Sequence, residues 1–392
     1  MTRLAIIGLG ARASSMLGLM RQLDAEVQLA AVADPDATGV WQRLRRLGIS
    51  QGETKIYPSA EDMLEHADSC DGVIIGTPCN LHAQTAIMVA ETRLPLLLEK
   101  PVAITHDQLV SLRDAFRGRE DSVAVSLPLR HTPLFAQALE VVRSGRLGTI
   151  NQVQAINNVP YGGVYFGQWY RNFDQSGGLW LQKATHDFDY INLLVGSRPT
   201  QIAATATQRI YGGDMPHDLK CSACDLAETC MESPRNIALR GDDGGMFKGT
   251  IDNSDHWCAF SKDIKNQDAG SALILYADSS HASYSQNFVA RRSAHRRGAV
   301  VTGYLATLEF DWASEFIRVV DHHSDRVDHL DVPSALHHSG GDHVLVRNFL
   351  DMTRHLDKSM TNLHDGLLSA AMCLSARESS RGHTFQPVPS LD

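Results

Sequence analysis

The stretch that most limits what this chain can become lies near its start. Residues 4–10, LAIIGLG, form an apolar run that breaks on glycine. The pattern Gly8-x-Gly10-x-x-Ala13 comes at once. A helical stretch, RASSMLGLMRQL, leads to a second apolar run, VQLAAVADPD, which reaches Asp34. Strand, glycine turn, helix, strand and acid is the order a dinucleotide fingerprint requires. Glycine lets the backbone approach a pyrophosphate, and the helix N-terminus offers N–H groups and the positive end of its dipole. Asp34 lies 24 residues beyond Gly10. There it would accept hydrogen bonds from the adenosine ribose and repel a 2′-phosphate, which favours NAD over NADP. Ala11 and Arg12 lie inside the turn. Arg12 is a candidate contact for the pyrophosphate, or for a 2′-phosphate should Asp34 turn away.

The alternation continues to about residue 124. SAEDMLEH, LHAQTAIMVAET and THDQLVSLRDAFRG read as helices between the apolar runs CDGVIIGTP, LPLLLEKP and SVAVSLPLR. Repeated strand–helix units imply a parallel, doubly wound sheet, which binds ligands beyond the carboxyl ends of its strands. Two strand ends matter for that reason. One is GTPCNLH, carrying Thr77, Pro78, Leu81 and His82. The other is Glu99-Lys100-Pro101, where proline stops the ladder and Lys100 is expected to enter the cofactor cleft. Arg130 and His131, after the last run, are further candidates for that cleft.

At 392 residues the chain suits two domains of roughly 100–200 residues each. We expect a Rossmann domain over 1–124 and a substrate-binding and oligomerisation domain over 125–392. A closing helix over 363–380 is a candidate to pack back on the first domain. From about 200 the chain shows alternating runs suited to antiparallel strands: TQIAATATQRI, HWCAFSKD, SALILYAD, ASYSQNFVA, ATLEFDW and FIRVVDHH. DHVLVRNFLDMTRHL and LHDGLLSAAMCLSARESS read as closing helices. The net charge of −9 argues against a nucleic-acid partner. The basic run ARRSAHRRG (290–298) reads as a solvated loop. No apolar run nears the ~20 residues needed to span a bilayer. The N-terminus enters a strand with no room for a signal peptide, so a cytoplasmic location is expected.

Residues 177–194, GGLWLQKATHDFDYINLL, set Lys183, His186, Asp187 and Asp189 among large apolar residues. At helical spacing Gln182, His186 and Asp189 share one stripe with Lys183 on its flank, while Trp180, Ala184, Phe188 and Ile191 share a buried face. The approach, residues 157–176, carries Tyr161, Tyr165, Trp169 and Arg171. Aromatic faces beside hydrogen-bonding groups suit a sugar, and the competing reading is that two or three of them only pack the domain junction. Cys221, Cys224 and Cys230 lie in an insertion over 212–256, with Cys258 just beyond it. Their spacing suits a structural zinc, against the plainer reading of free loop thiols. The histidines of 322–343 are read as solvated.

Taken together, GLGARA (8–13), VADPD (32–36), GTPCNLH (76–82), EKPVA (99–103), SGRLGTI (144–150), GGLWLQKATHDFD and the two closing helices resemble the Gfo/Idh/MocA family of NAD(P)-dependent oxidoreductases over essentially the whole chain. The resemblance implies a Rossmann domain succeeded by an α/β domain. The second domain has an open, mostly antiparallel sheet whose outer face makes a homodimer or homotetramer. It implies hydride transfer between nicotinamide and a secondary alcohol or ketone of a sugar, polyol or sugar derivative. His186 matches the family histidine beside the substrate. Many members carry an acid four residues before it, where this chain has Gln182. Lys183 instead fits a branch with Lys-x-x-His. Lys100, Lys183 and His186 are the catalytic candidates. Tyr161, Tyr165, Trp169, Arg171, Gln182, Lys183 and His186 are the substrate-binding ones. Two other readings stay open: a redox-neutral hydrolase or isomerase that retains NAD, and a non-enzymatic NAD-binding sensor.

Overall fold

The computed structural model describes all residues except 51, 67–68, 241–255, 333–339 and 392. Most of the insertion's second half therefore lies outside the described residues, as do His337 and His338 of the histidine-rich run. The chain divides into two compact units. The first holds 1–131, 340–371 and 391–392, and the second 132–339 and 372–390.

The first unit is built on six strands: β1 (Thr2–Ile7), β2 (Val27–Ala33), β3 (Lys55–Tyr57), β4 (Gly72–Ile75), β5 (Leu96–Leu98) and β6 (Val123–Val125). All neighbours pair in parallel, in the order β3-β2-β1-β4-β5-β6. The α/β doubly wound reading holds. β4, β5 and β6 are buried at every position, as strands covered on both faces must be. Strand order reverses between β1 and β4, so the loops beyond these two strands flank the ligand crevice of such a sheet. Gly8 closes β1 at φ +81°, and a Cβ there would stand 2.7 Å from the Thr77 amide nitrogen. Only glycine lets the two loops meet.

The expected boundary at 124/125 needs correction. Helix Gly341–Thr353 buries Leu345, Val346, Phe349, Leu350 and Met352 in one core with Leu4, Ile6, Leu17 and Met20. A stretch some 200 residues beyond the Rossmann repeats thus supplies part of the first unit's core. The closing helix runs from Leu363 to Gly382, and its part up to Ala371 belongs to the first unit. A Cβ on Gly366 would stand 2.8 Å from Val102 and 2.9 Å from Val125, so helix and strand end lie in close contact. The last run, SVAVSLPLR, is strand only to Val125; Pro128–His131 is a 3₁₀ turn.

The second unit carries nine strands: β7 (Ile150–Asn158), β8 (Pro199–Thr207), β9 (Ala269–Tyr276), β10 (His281–Asn287), β11 (Arg296–Gly303), β12 (Ala306–Asp311), β13 (Phe316–Asp321), β14 (Val327–Leu330) and β15 (Gln386–Pro387). Their order is β14-β13-β12-β11-β7-β10-β9-β8-β15, antiparallel throughout except for the pair β7–β10. Burial alternates along β9 and β10, which gives the sheet one covered face. Helices Pro133–Arg143 and Thr185–Val195 supply Phe135 and Tyr190 to an aromatic cluster with Phe310 and Trp312. Two expectations are corrected here. HWCAFSKD is no ladder strand: its only strand-like pairings among the described residues are the isolated bridges Lys220–Trp257 and Met215–Ser261. The basic run is an exposed loop only to about His295: β11 starts at Arg296, and Arg297 is drawn inward into an ion pair with the buried Asp187.

Candidate active site

In the first unit, β1 delivers the chain to Gly8, and Gly10 sits at the N-cap of helix Ala11–Leu23, where it supplies no side-chain acceptor to the first N–H groups. The Asp34 carboxylate accepts the Leu9 N–H at 3.0 Å through one oxygen and the Asp36 N–H at 2.9 Å through the other. It is thereby fixed at the mouth of the glycine turn. A carboxylate has about four acceptor sites, so capacity remains for ribose hydroxyls. Ala13 packs behind the turn, where a Cβ on Gly76 would come within 2.8 Å of its own Cβ. The close backbone, the uncapped N–H groups and the anchored acid fit a dinucleotide.

Arg12 does something other than expected. Its guanidinium donates to Asp342 at 2.8 and 2.6 Å, to Glu99 at 3.1 Å and to Ser126 at 3.2 Å. Burial works against its charge, but Glu99 and then Asp342 outweigh that and hold it firmly protonated. Arg12 is thus committed to two carboxylates, not to a cofactor phosphate. The Glu99 side chain is spent on the same pair. His82 is also corrected. It is buried, and its two ring nitrogens lie 2.8 Å from the Pro101 and Thr77 carbonyl oxygens. Burial lowers its pKa. It ties the two strand-end loops together and is not open to a ligand. Thr77, Pro78 and the exposed Leu81 stay at the loop surface, and Lys100 stands partly exposed at the end of β5. Arg130 ion-pairs with Asp365 at 2.9 Å. Burial, then Arg130, push His131 down to about 4.

In the second unit, Gly177 and Gly178, both at positive φ, turn the chain out of a short helix. A π-helical turn, Trp180–Ala184, precedes helix Thr185–Val195. Such turns carry an extra residue and rotate the faces of the helix beyond them. The expected stripe Gln182–His186–Asp189 does not form for that reason. Gln182 is buried and donates to the Ser176 carbonyl at 2.6 Å, and Asp189 is buried as well. From Ser176 to Ile191 only His186 keeps intermediate exposure. Trp180, Ala184, Phe188 and Ile191 pack as expected, with Trp180 stacked on Phe188 at 6.4 Å.

Lys183 is only 6% exposed. Its ammonium donates to the Tyr161 hydroxyl and lies 4.3 Å from the Tyr161 ring and 5.5 Å from that of Tyr165. Burial pushes the Tyr161 phenol up to about 12. Tyr161 also lines an open cleft with Val164, Trp257 and Arg291. The other approach residues take structural parts. Tyr165 is buried against Phe288, and Trp169 stacks outside on Tyr170 at 4.0 Å. Arg171 is buried, ion-paired to Asp263 at 2.6 Å and donating to Ser261 and the Cys258 carbonyl.

Sequence reasoning missed the network around Asp187. This carboxylate is fully buried and accepts from Arg297 Nε at 2.9 Å, Asn157 at 2.7 Å and Tyr284 at 2.7 Å, with Arg297 Nη2 in ion-pair contact at 2.8 Å. Arg297 and Asn157 are cross-strand partners on β11 and β7. Only that register could have joined them, and one sequence does not reveal it. Cys221, Cys224 and Cys230 are half-buried in turns, and burial raises the Cys258 thiol pKa. Among the described residues no three of His, Cys, Asp or Glu are gathered to hold a metal ion. The four-thiolate set expected for zinc is therefore not assembled. Among the described residues no helix is long and apolar enough to cross a membrane.

Fold and turn agree with the family comparison: the model described as oxidoreductase family, NAD-binding Rossmann fold, matches residues 2–127, and the GFO/IDH/MocA C-terminal domain matches 135–309. The chain belongs to the GFO/IDH/MocA family. The rhizopine catabolism protein MocA of Rhizobium meliloti is 28% identical over 206 residues, covering 52% of this chain and 61% of MocA. Inositol 2-dehydrogenase of Corynebacterium glutamicum (strain R) is 26% identical over 203 residues, 51% of this chain and 56% of that protein. The chain thus spans less than two thirds of the length of either. Levoglucosan dehydrogenase in complex with NADH and levoglucosan superposes at a TM-score of 0.76 with 16% identity, over 99% of this chain and 100% of that one. The oxidoreductase domain protein from Kribbella flavida gives 0.76 and 17% over the full length of both. At such identities these likenesses establish the fold.

Proposed function

We propose that the chain is an NAD(H)-dependent oxidoreductase that moves hydride between nicotinamide and a secondary alcohol or ketone of a sugar, polyol or sugar derivative. The observation that carries this reading is a run from Ser176 to Ile191 that is buried at every position but His186, the residue type suited to one proton near neutral pH. Relatives whose names record inositol and levoglucosan dehydrogenation support the substrate class. The anchored Asp34 carboxylate, with Arg12 committed elsewhere, favours NAD over NADP: a 2′-phosphate would meet an anion and no cation from this turn.

The bound nicotinamide would supply the hydride chemistry, and the protein has one proton and one developing charge to manage. His186 takes the hydroxyl proton. Lys100 hydrogen-bonds the reacting oxygen and stabilises its alkoxide character. Lys183, behind Tyr161, adds positive charge to a phenol that meets the substrate, while the Asp187–Arg297 pair keeps the helix rigid. The test is NADH formation at 340 nm over a panel of myo-inositol, scyllo-inositol, levoglucosan and common hexoses. Turnover with NAD, and much less with NADP, is expected. Tightly retained NAD with no net NADH on any member would replace this reading by the redox-neutral one.

A further inference from the structure

Three groups of the first unit meet at one cation. Arg12, two residues past Gly10, holds Asp342 with both terminal nitrogens, Glu99 through Nε, and Ser126. Each partner comes from a different element: Glu99 from the end of β5, Ser126 from just past β6, and Asp342 from the first turn of helix Gly341–Thr353. Both carboxylates are nearly buried, with side-chain exposures of 11% and 6%. A two-pronged arginine–carboxylate pair fixes direction as well as distance. Glu99 is also the residue before Lys100. Its backbone N–H already donates to the Ile75 carbonyl at 3.2 Å, and with its side chain clamped too the strand end has little freedom left.

We propose that Arg12 is a positioning residue: through Glu99 and Asp342 it ties the glycine turn to the strand end that carries Lys100. The proposal rests on the catalytic role given to Lys100 under the proposed function. It makes the turn that receives the cofactor and the lysine that meets the reacting oxygen parts of one rigid piece. It also gives Asp342 a role that its distance along the chain concealed. In this unit Glu99 and Lys100 both act on the buried ring of His82, and Glu99 is tied in turn to Arg12 and through it to Asp342. Arg12 neutralises Glu99. Without it, an unpaired carboxylate beside Lys100 favours the ammonium form and moves the lysine titration upward.

The test labels the intact protein with an amine-acetylating reagent across pH 6–10 and tracks Lys100 by peptide mass spectrometry. It needs no substrate. In Arg12→Met, Lys100 labelling at pH 8 should fall about 3- to 10-fold, with its titration moved up by roughly half a unit to one unit. Arg12→Met/Glu99→Gln removes the stray charge and should restore the titration to within about twofold of wild type. Should Arg12→Met not fold, Asp342→Asn and Arg12→Lys give gentler versions, with smaller shifts in the same direction. With a turned-over polyol in hand, Arg12→Met should lower kcat about 10- to 100-fold and leave the polyol KM nearly unchanged. Folded variants whose Lys100 labelling curve matches wild type would overturn the proposal and leave the dehydrogenase reading standing. A polyol screen that fails while the labelling shifts appear would do the reverse.

Discussion

The glycine turn of the first unit and the buried helix of the second are built in opposite ways. The acid at the turn is held by neighbours: Asp34 reaches Leu9 across 25 residues of one strand–helix–strand unit, while Arg12 alone of the fingerprint residues ties the turn to the distant Asp342. The helix is assembled from strangers: Asp187 is held from 30, 97 and 110 residues away. A local device survives wherever its short motif survives. A distributed device must be kept by the whole sheet, and its cost of failure is a buried unpaired charge.

That difference can be broken or sharpened by substitution, and the largest effect is expected where chemistry is concentrated. Lys100→Ala should reduce kcat by ~10²–10⁴-fold or more on the true substrate, measured by initial NADH formation, with NAD binding little changed. Next comes the distributed device itself. Asp187→Ala strands Arg297 in the interior and should cost about 3–5 kcal/mol of stability in urea melts. Loss below about 1 kcal/mol there would mean that the network is decoration.

A smaller effect separates the units by pH. His131 is held down to about 4, against about 6.5 for a free imidazole, so the unfolded chain takes up a proton that the folded chain refuses. Its contribution is intact above about pH 6.5 and is lost as pH falls from there toward 4. Buried His82 works in the same direction. The melting temperature should therefore drop over that window, and less steeply in His131→Asn. The smallest effect belongs to the local device. Asp34→Ala should raise the NAD dissociation constant about tenfold, ~1.4 kcal/mol, and relax discrimination against NADP. Unchanged affinities for both would remove Asp34 from the ribose site.

The same contrast explains what could be read in advance. Gly8, Gly10, Ala13 and Asp34 are legible because their spacing and context fit within some thirty residues. The parallel sheet was legible from repeated strand–helix units. Arg12 was misread because its partner Asp342 lies 330 residues away, and nothing local marks a charge as already taken. Gln182 was misread for a subtler reason: helical spacing assumes one period, and the π turn at Trp180–Ala184 breaks it just before His186. Arg171 looked like a sugar ligand because arginine among aromatics often is one; its commitment to Asp263 and Ser261 depends on a loop fold. The domain boundary slipped because helix Gly341–Thr353 returns to the first core after the whole second sheet has been made.

The central claim is that the cofactor is held by the local device while the proton is handled at His186, the one partly exposed position from Ser176 to Ile191 in the distributed one. His186→Ala tests it most directly, with two quantities read from one preparation: the NAD dissociation constant by fluorescence titration, and the rate at which enzyme-bound NAD is reduced by a turned-over polyol in stopped flow. The account predicts an NAD affinity within about twofold of wild type and a reduction rate lower by ~10²–10⁴-fold, partly recovered at high pH where hydroxide can accept the proton. A wild-type reduction rate in His186→Ala would contradict it and move the chemistry away from this helix.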